Sequence, residues 1–325
     1  MTTQLAYNET VLERFKSFIK NNRLAHAYIL VGPEGVGKFE TALAVAKMVN
    51  CEAAVLAPER GFCDQCPACR TINSRNHPDL HILETARGET IQIEHIRDLI
   101  TQMQMRPFEA KKKIFLIRNS ENLTLPAGNA LLKTLEEPFS DTLILLTTAV
   151  PEKNLSTIRS RCQMIYLAPY SKQRLADYLA GGYDMKVEAA QFVASFSEGC
   201  LTRAKRLQEE NILPRKNEII NNFIFSRDSE NFLKKILVEP QATKELLDVV
   251  LTWFRDVLVF KLTDDPARLV HQDRIEDLKR AAKSFSLEDL ENITEETVRT
   301  LKLLNENLNV KIALSVLKEK IWVRS

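Results

Sequence analysis

Residues 32–38 read Gly-Pro-Glu-Gly-Val-Gly-Lys, and their flanks decide what such a loop can be. Residues 24–31, Leu-Ala-His-Ala-Tyr-Ile-Leu-Val, end as an apolar run of strand length. Phe39 to Asn50 places Ala42, Leu43, Val45, Ala46 and Val49 on one helical face. Strand, glycine turn and helix together let backbone N–H groups and a helix N-terminus cradle phosphate. The chain is thereby constrained to a P-loop α/β fold, with Gly32, Gly35, Gly37 and Lys38 as candidate phosphate-binding residues. Lys38 would reach the outer phosphates. The next residue of a complete P-loop is Ser or Thr, whose hydroxyl ligates the magnesium that bridges the phosphates. Here it is Phe39, which cannot ligate a metal. ATP or ADP binding stays open on these residues; magnesium ligation is not expected.

The remaining periodicity supports a parallel sheet. Asp79 to Leu83, Lys113 to Ile117, Leu143 to Thr148 and Met164 to Leu167 read as strands. Ile91 to Met103 and Leu125 to Leu135 read as helices between them, the second stopped by Pro138. Alternating strands and helices predict an α/β sheet covered on both faces, over residues 1–169. Residues 170–208 read as a small helical unit interrupted by Gly181-Gly182 and Gly199. From about residue 209 to 325 the chain reads as all-α. Lys244 to Leu262 is its clearest amphipathic run, and Leu287 to Val323 holds further helices.

Active P-loop ATPases place an Asp at the end of a neighbouring strand to hold magnesium, and many add a Glu to position water. Here Ile114-Phe-Leu-Ile117 runs into Arg118-Asn119, and neither residue can do that work. The loss at Arg118-Asn119 and the loss at Phe39 reinforce each other.

Cys63-x2-Cys66-x2-Cys69 brings three thiols into one short loop, and Cys51 lies just past the first helix. Four soft ligands suit Zn²⁺ in a closed structural site, with no open position for catalysis. A four-cysteine iron–sulfur cluster and free thiols are the competing readings. The upstream position of Cys51 and the lack of any other redox signal favour zinc. Cys162 and Cys200 read as small buried hydrophobes.

Composition closes off other classes. Lys+Arg 45 against Asp+Glu 43 gives a formal net charge of +2, so a dedicated nucleic-acid binder with a large basic field has no support. The N-terminus has no basic stretch followed by an apolar run, and the longest apolar runs, such as Leu143 to Leu146, are strand-sized. A cytoplasmic protein is expected, in which six cysteines serve as thiols or metal ligands rather than disulfides.

Asn129-Ala-Leu-Leu-Lys-Thr-Leu-Glu-Glu-Pro138, followed by Ser160-Arg-Cys-Gln163, resembles the shared signature of the AAA+ subunits of the bacterial replicative clamp loader, the DNA polymerase III family. Arg23-Leu-Ala-His-Ala-Tyr28, His77-Pro-Asp-Leu80, Ile93-x-x-Ile96-Arg97 and the cysteine insertion at 51–69 fit the same family. Trp253-Phe-Arg-Asp256 and Asn305-Glu-Asn-Leu-Asn309 look like landmarks of its collar domain. The resemblance implies an AAA+ domain at 1–169, a lid at 170–208 and a collar at 209–325. Phe39, Arg118-Asn119 and the Thr202 that succeeds Gly199-Cys-Leu201, where the motor carries arginine, point to the δ′ branch, the non-hydrolysing stator. The resemblance also implies a hetero-pentamer with motor (τ/γ) and δ subunits, acting on the sliding clamp and primed DNA. Arg161 would be the arginine finger offered to a neighbouring subunit's ATP. Lys133 and Glu136, on the signature helix, read as a face with ordinary i,i+3 pairing. Thr148 resembles a phosphate-sensing position.

Overall fold

The computed structural model describes residues 8–54, 60–86, 89–183, 185–227, 229–305 and 310–322. Of the sequence landmarks, residues 306–309 lie outside the described set. The chain divides into two compact units: residues 1–170 with 200–203, and residues 171–199 with 204–325.

The first unit is built on a five-stranded sheet of order β2-β3-β4-β1-β5. Its strands are β1 (Ala27–Val31), β2 (Leu80–Leu83), β3 (Lys113–Ile117), β4 (Thr142–Thr148) and β5 (Gln163–Tyr166), and every pairing is parallel. The strands β1, β3 and β4 are buried at every residue, as mainly apolar strands covered on both faces are. Alternation divides β1 between two cores. Tyr28 and Leu30 face α1 (Glu9–Lys20), α2 (Lys38–Asn50) and α3 (Pro67–Asn73); Ala27, Ile29 and Val31 face α4 (Ile93–Met103), α5 (Leu125–Glu136) and α6 (Ser156–Arg159). Asn8 caps α1 by accepting from Val11 N, and Phe15 of that helix meets the Tyr28 ring edge-on at 4.8 Å. Asp79 organises its own neighbourhood. Its carboxylate accepts the N–H groups of Phe108, Glu109 and Ala110, fixing the loop that leads into β3.

The second unit is helical, with α7 (Lys172–Tyr183), α8 (Val187–Phe196) and the helices α10 (Ile212–Ile219), α11 (Glu230–Ile236), α12 (Pro240–Thr263), α13 (Ile275–Ser284), α14 (Leu287–Asn305) and α15 (Val310–Trp322); α9 (Leu201–Glu209) begins in the first unit. Gly181 and Gly182 do not interrupt α7 but form its last turn, where helix-weakening residues cost least. The sequence Trp253-Phe-Arg-Asp256 lies at the centre of this unit. Trp253 is fully buried and stands edge-on to His271 at 5.5 Å, and His271 lies 5.4 Å from Phe192 of α8. Asp256 accepts the N–H groups of Val270 and His271, each at 2.7 Å, and takes a bond from Arg255 at 2.8 Å. Buried Lys216 pairs with Asp273 at 2.5 Å and lies over the Phe192 ring.

Burial pushes the Asp256 carboxyl up from 3.8 to about 6, against the pull of the two N–H groups and Arg255. The folded state therefore binds an extra proton between about pH 4 and 6, and the stability contributed by Asp256 falls as pH rises through that window. Burial, then Lys216, Arg274 and Arg255, hold His271 well below its usual 6.5, which gives the opposite slope below that pH. The Asp256→Asn protein retains the His271 slope and lacks the Asp256 slope. In urea unfolding followed by tryptophan fluorescence, wild type is expected to exceed the variant most near pH 4. Its margin should narrow toward pH 6 and stay constant above; a margin independent of pH refutes the account.

Candidate nucleotide and metal sites

The loop leaves β1 between its two neighbours. Gly32 N donates to Thr148 O of β4, and Leu167 N donates to Val31 O. A side chain at Gly32 would meet Leu167 O at 2.8 Å, so close approach after β5 requires glycine there. Gly35 and Gly37 take φ of +81° and +91°, the left-handed turn that aims the loop around a phosphate. The segment Cys200–Arg203 braces it: Thr202 N donates to Gly35 O, and Arg203 N lies 3.2 Å from where a Cβ at Gly35 would stand. Lys38 is buried and turned back on the loop, its Nζ donating to Gly32 O at 2.7 Å and Pro33 O at 2.9 Å. Burial lowers its pKa, and the carboxylates of Glu121, Glu34 and Glu40 oppose that shift. The ammonium is at the base of the cradle rather than extended toward outer phosphates.

Phe39 is buried at the position of the missing hydroxyl, and two guanidinium groups lie over its ring. The guanidinium of Arg118 lies 4.3 Å from the Phe39 ring centroid and that of Arg75 lies 4.8 Å from it. Arg118 occupies the strand-end position of the missing acid and pairs with Glu84. Thr41, two residues beyond, offers no substitute ligand: its hydroxyl donates to Gly37 O at 2.7 Å and is fully buried. The residues present do not fit magnesium. Thr148 is likewise buried, with its hydroxyl accepting from Val150 N. Arg75 has no signal in the sequence, because it lies 36 positions from the ring it covers and reaches it only through the turn after α3.

The four cysteines do come together. The Sγ atoms of Cys51, Cys63, Cys66 and Cys69 all lie within 4.8 Å of one another, with Cys51 to Cys63 at 3.7 Å and Cys51 to Cys66 at 3.9 Å. Four thiolates on one tetrahedral ion at about 2.3 Å stand about 3.8 Å apart, so the group fits a single soft metal ion. Cys63 accepts the N–H groups of Gln65 and Cys66, which bring its pKa down to about 7. Burial pushes Cys51 and Cys69 upward, so a cation is needed to hold all four as thiolates. Lys47, one turn before Cys51, is fully buried, lies over the Phe62 ring and pairs with Asp64 at 2.5 Å; Asn73 also donates to Asp64. These contacts tie the Cys63–Cys66 loop to α2 and α3, and sequence spacing alone could not reveal them. Cys162 and Cys200 are buried away from this group, and burial pushes the Cys162 thiol up to about 12.

Arg161 sits one third exposed after α6. Its Nε donates to Glu136 Oε1 at 2.9 Å and its Nη2 donates to the same oxygen at 2.5 Å, while Nη1 donates to Thr157 O and Ser160 Oγ. Glu136 is thus the partner of Arg161, not of Lys133 one turn earlier. The helical spacing suggested the local pair; the packing of α5 beside α6 brings the distant one.

A parallel sheet of this order, with a glycine loop leaving the interior strand β1 and a helical unit after it, defines a P-loop protein of the AAA+ class. Residues 7–171 match the family model "DNA polymerase III, delta subunit", and residues 211–317 match "DNA polymerase III, delta subunit, C terminal". The chain belongs to that family. The DNA polymerase III subunit delta' of Bacillus subtilis is 28% identical over 93% of this chain and 92% of its own length. The subunit delta' of Pseudomonas aeruginosa is 31% identical over 74% of each chain. The subunit tau of Bacillus subtilis is 26% identical over 78% of this chain and 49% of its own.

Purified chain is expected to hold one divalent metal ion per chain by elemental analysis, and Cys69→Ala should abolish it. Lys47→Met keeps all four ligands but removes the lysine from Asp64. It should speed metal loss to a chelator by about tenfold, the usual size of an outer-sphere effect; an unchanged rate would refute the positioning role of Lys47.

Proposed function

We propose that this chain is the non-hydrolysing stator of a bacterial clamp loader, the δ′ subunit of DNA polymerase III. It works in the cytoplasm beside motor (τ/γ) and δ subunits in a hetero-pentamer that places the sliding clamp on primed DNA. The observation that carries the reading is the stack on Phe39. A ring occupies the metal-ligand position and Arg118 occupies the acid position, so this loop can neither hold magnesium nor activate water. Residues 170–208 serve as the lid and 209–325 as the collar that joins the ring. The cysteine group holds structural Zn²⁺. Polymerase chemistry belongs to other chains of the assembly.

Arg161 is the group offered in trans to a neighbour's ATP. Arginine is always charged, and its planar fork matches phosphate oxygens. Glu136, Thr157 and Ser160 hold it at the surface of the first unit, and the fork exchanges the Glu136 carboxylate for phosphate when it engages a neighbour.

Purified chain with magnesium and primed DNA is expected to show no ATP hydrolysis that depends on Lys38, as judged against Lys38→Ala. Turnover lost in that variant would make the chain a motor itself. In a reconstituted loader, Arg161→Ala should slow hydrolysis at the adjacent motor site by about a thousandfold, the lower end for an arginine finger. A loader with unchanged hydrolysis at that site would leave this subunit as scaffold alone.

A further inference from the structure

We propose that Glu136 restrains Arg161. Its carboxylate fills the donor edge with which the guanidinium would meet a neighbour's phosphate, and so limits how fast the neighbour's ATP is hydrolysed. Glu136 acts only through Arg161, which makes it a positioning residue rather than a catalytic one. The inference rests on the proposed role of Arg161 in trans and deepens it.

The donor count carries the argument. A guanidinium has five N–H groups. Nε and Nη2 each donate one to Oε1 of Glu136, at 2.9 and 2.5 Å. Nη1 donates to Thr157 O at 3.0 Å and to Ser160 Oγ at 3.2 Å. Four donors are thus engaged, and one N–H of Nη2 is left. A bidentate hold on a phosphate takes two parallel N–H groups from one edge of the fork. No edge of Arg161 offers two while Glu136 is in place.

The location of Glu136 is unfavourable apart from this contact. It is the last residue of α5, where the final backbone carbonyls concentrate negative charge and a carboxylate is disfavoured. The Arg161 guanidinium offsets that charge. The pair is also open to water, with the arginine side chain 33% and the glutamate side chain 51% exposed, so it is weak enough to exchange. Thr157 and Ser160 belong to the same turn of chain as Arg161 and can hold the guanidinium after Glu136 releases it. Orientation and restraint therefore come from different groups. The neighbour's rate scales with the fraction of time in which the fork edge is free.

The test is ATP hydrolysis by a reconstituted loader in which only the motor site beside this subunit is active. Glu136→Gln keeps the length of the side chain and one acceptor oxygen but removes the charge. It should raise kcat about threefold, a change of the size an exposed ion pair supports. KM for ATP should stay unchanged, because an arginine finger acts on charge that develops in the transition state. Glu137→Gln removes a charge from the same helix end and leaves the Arg161 pair in place; it should not change the rate. In an Arg161→Ala background, Glu136→Gln should have no effect. A loader slowed by Arg161→Ala but not accelerated by Glu136→Gln overturns the inference and leaves the finger reading standing. Equal acceleration by Glu137→Gln also overturns it, since the cause would then be charge at the helix end. Hydrolysis indifferent to Arg161→Ala overturns both.

Discussion

Strand β1 is paired on both edges, to β4 from Ala27 through Val31 and to β5 from Tyr28 through Val31, and the rest of the first unit depends on that placement. A central strand buried on both faces cannot shift register without moving apolar residues between two packed cores. Its C-terminal end is therefore fixed, and Gly32 to Lys38 leaves from a fixed point. The loop is further held by Thr202 N on Gly35 O and by the close approach of Leu167 to Gly32. The conformation of the cradle is thus a product of the sheet and its flanking segments.

Hydroxyl, acid and metal of a working P-loop form one electrostatic unit: the negative ligands exist to hold the cation. In this chain Phe39 and Arg118 stand at the two ligand positions. Phenylalanine alone would leave an apolar ring beside a strand-end carboxylate with no cation to balance it. Arginine at 118 removes that conflict, stacks on the ring and takes Glu84 as its counter-ion. The outcome is a satisfied surface of guanidinium on aromatic. Arg161, after α6, is likewise held in an ion pair, with Glu136.

Several charged groups in both units are buried with partners. Lys47 is held by Asp64 beside the cysteines, Lys216 by Asp273 beside Phe192, and Asp256 by two backbone N–H groups and Arg255. Removing one partner leaves a buried charge uncompensated, which costs more than the pair gains. In the second unit, His271 is the meeting point, touching Trp253 and Phe192 and bonding Thr252, so that α8 joins the core of α12.

Residue order was enough to set the class of fold and the missing chemistry. Strand-length apolar runs between helical periods dictate a parallel sheet, Gly32 to Lys38 dictates its loop, and no conformation lets Phe39 or Arg118 ligate magnesium. The four cysteines were legible as a metal group because residue type and short spacing suffice for three of them. What fills the vacated positions depended on packing in three dimensions. Arg75 reaches Phe39, Glu136 reaches Arg161 and Lys47 reaches Asp64 across separations that carry no periodic signal, because sheet order and helix packing, not neighbouring residues, set those distances. The direction of Lys38 was settled there too: a buried ammonium must find acceptors, and those it meets are the carbonyls of its own loop.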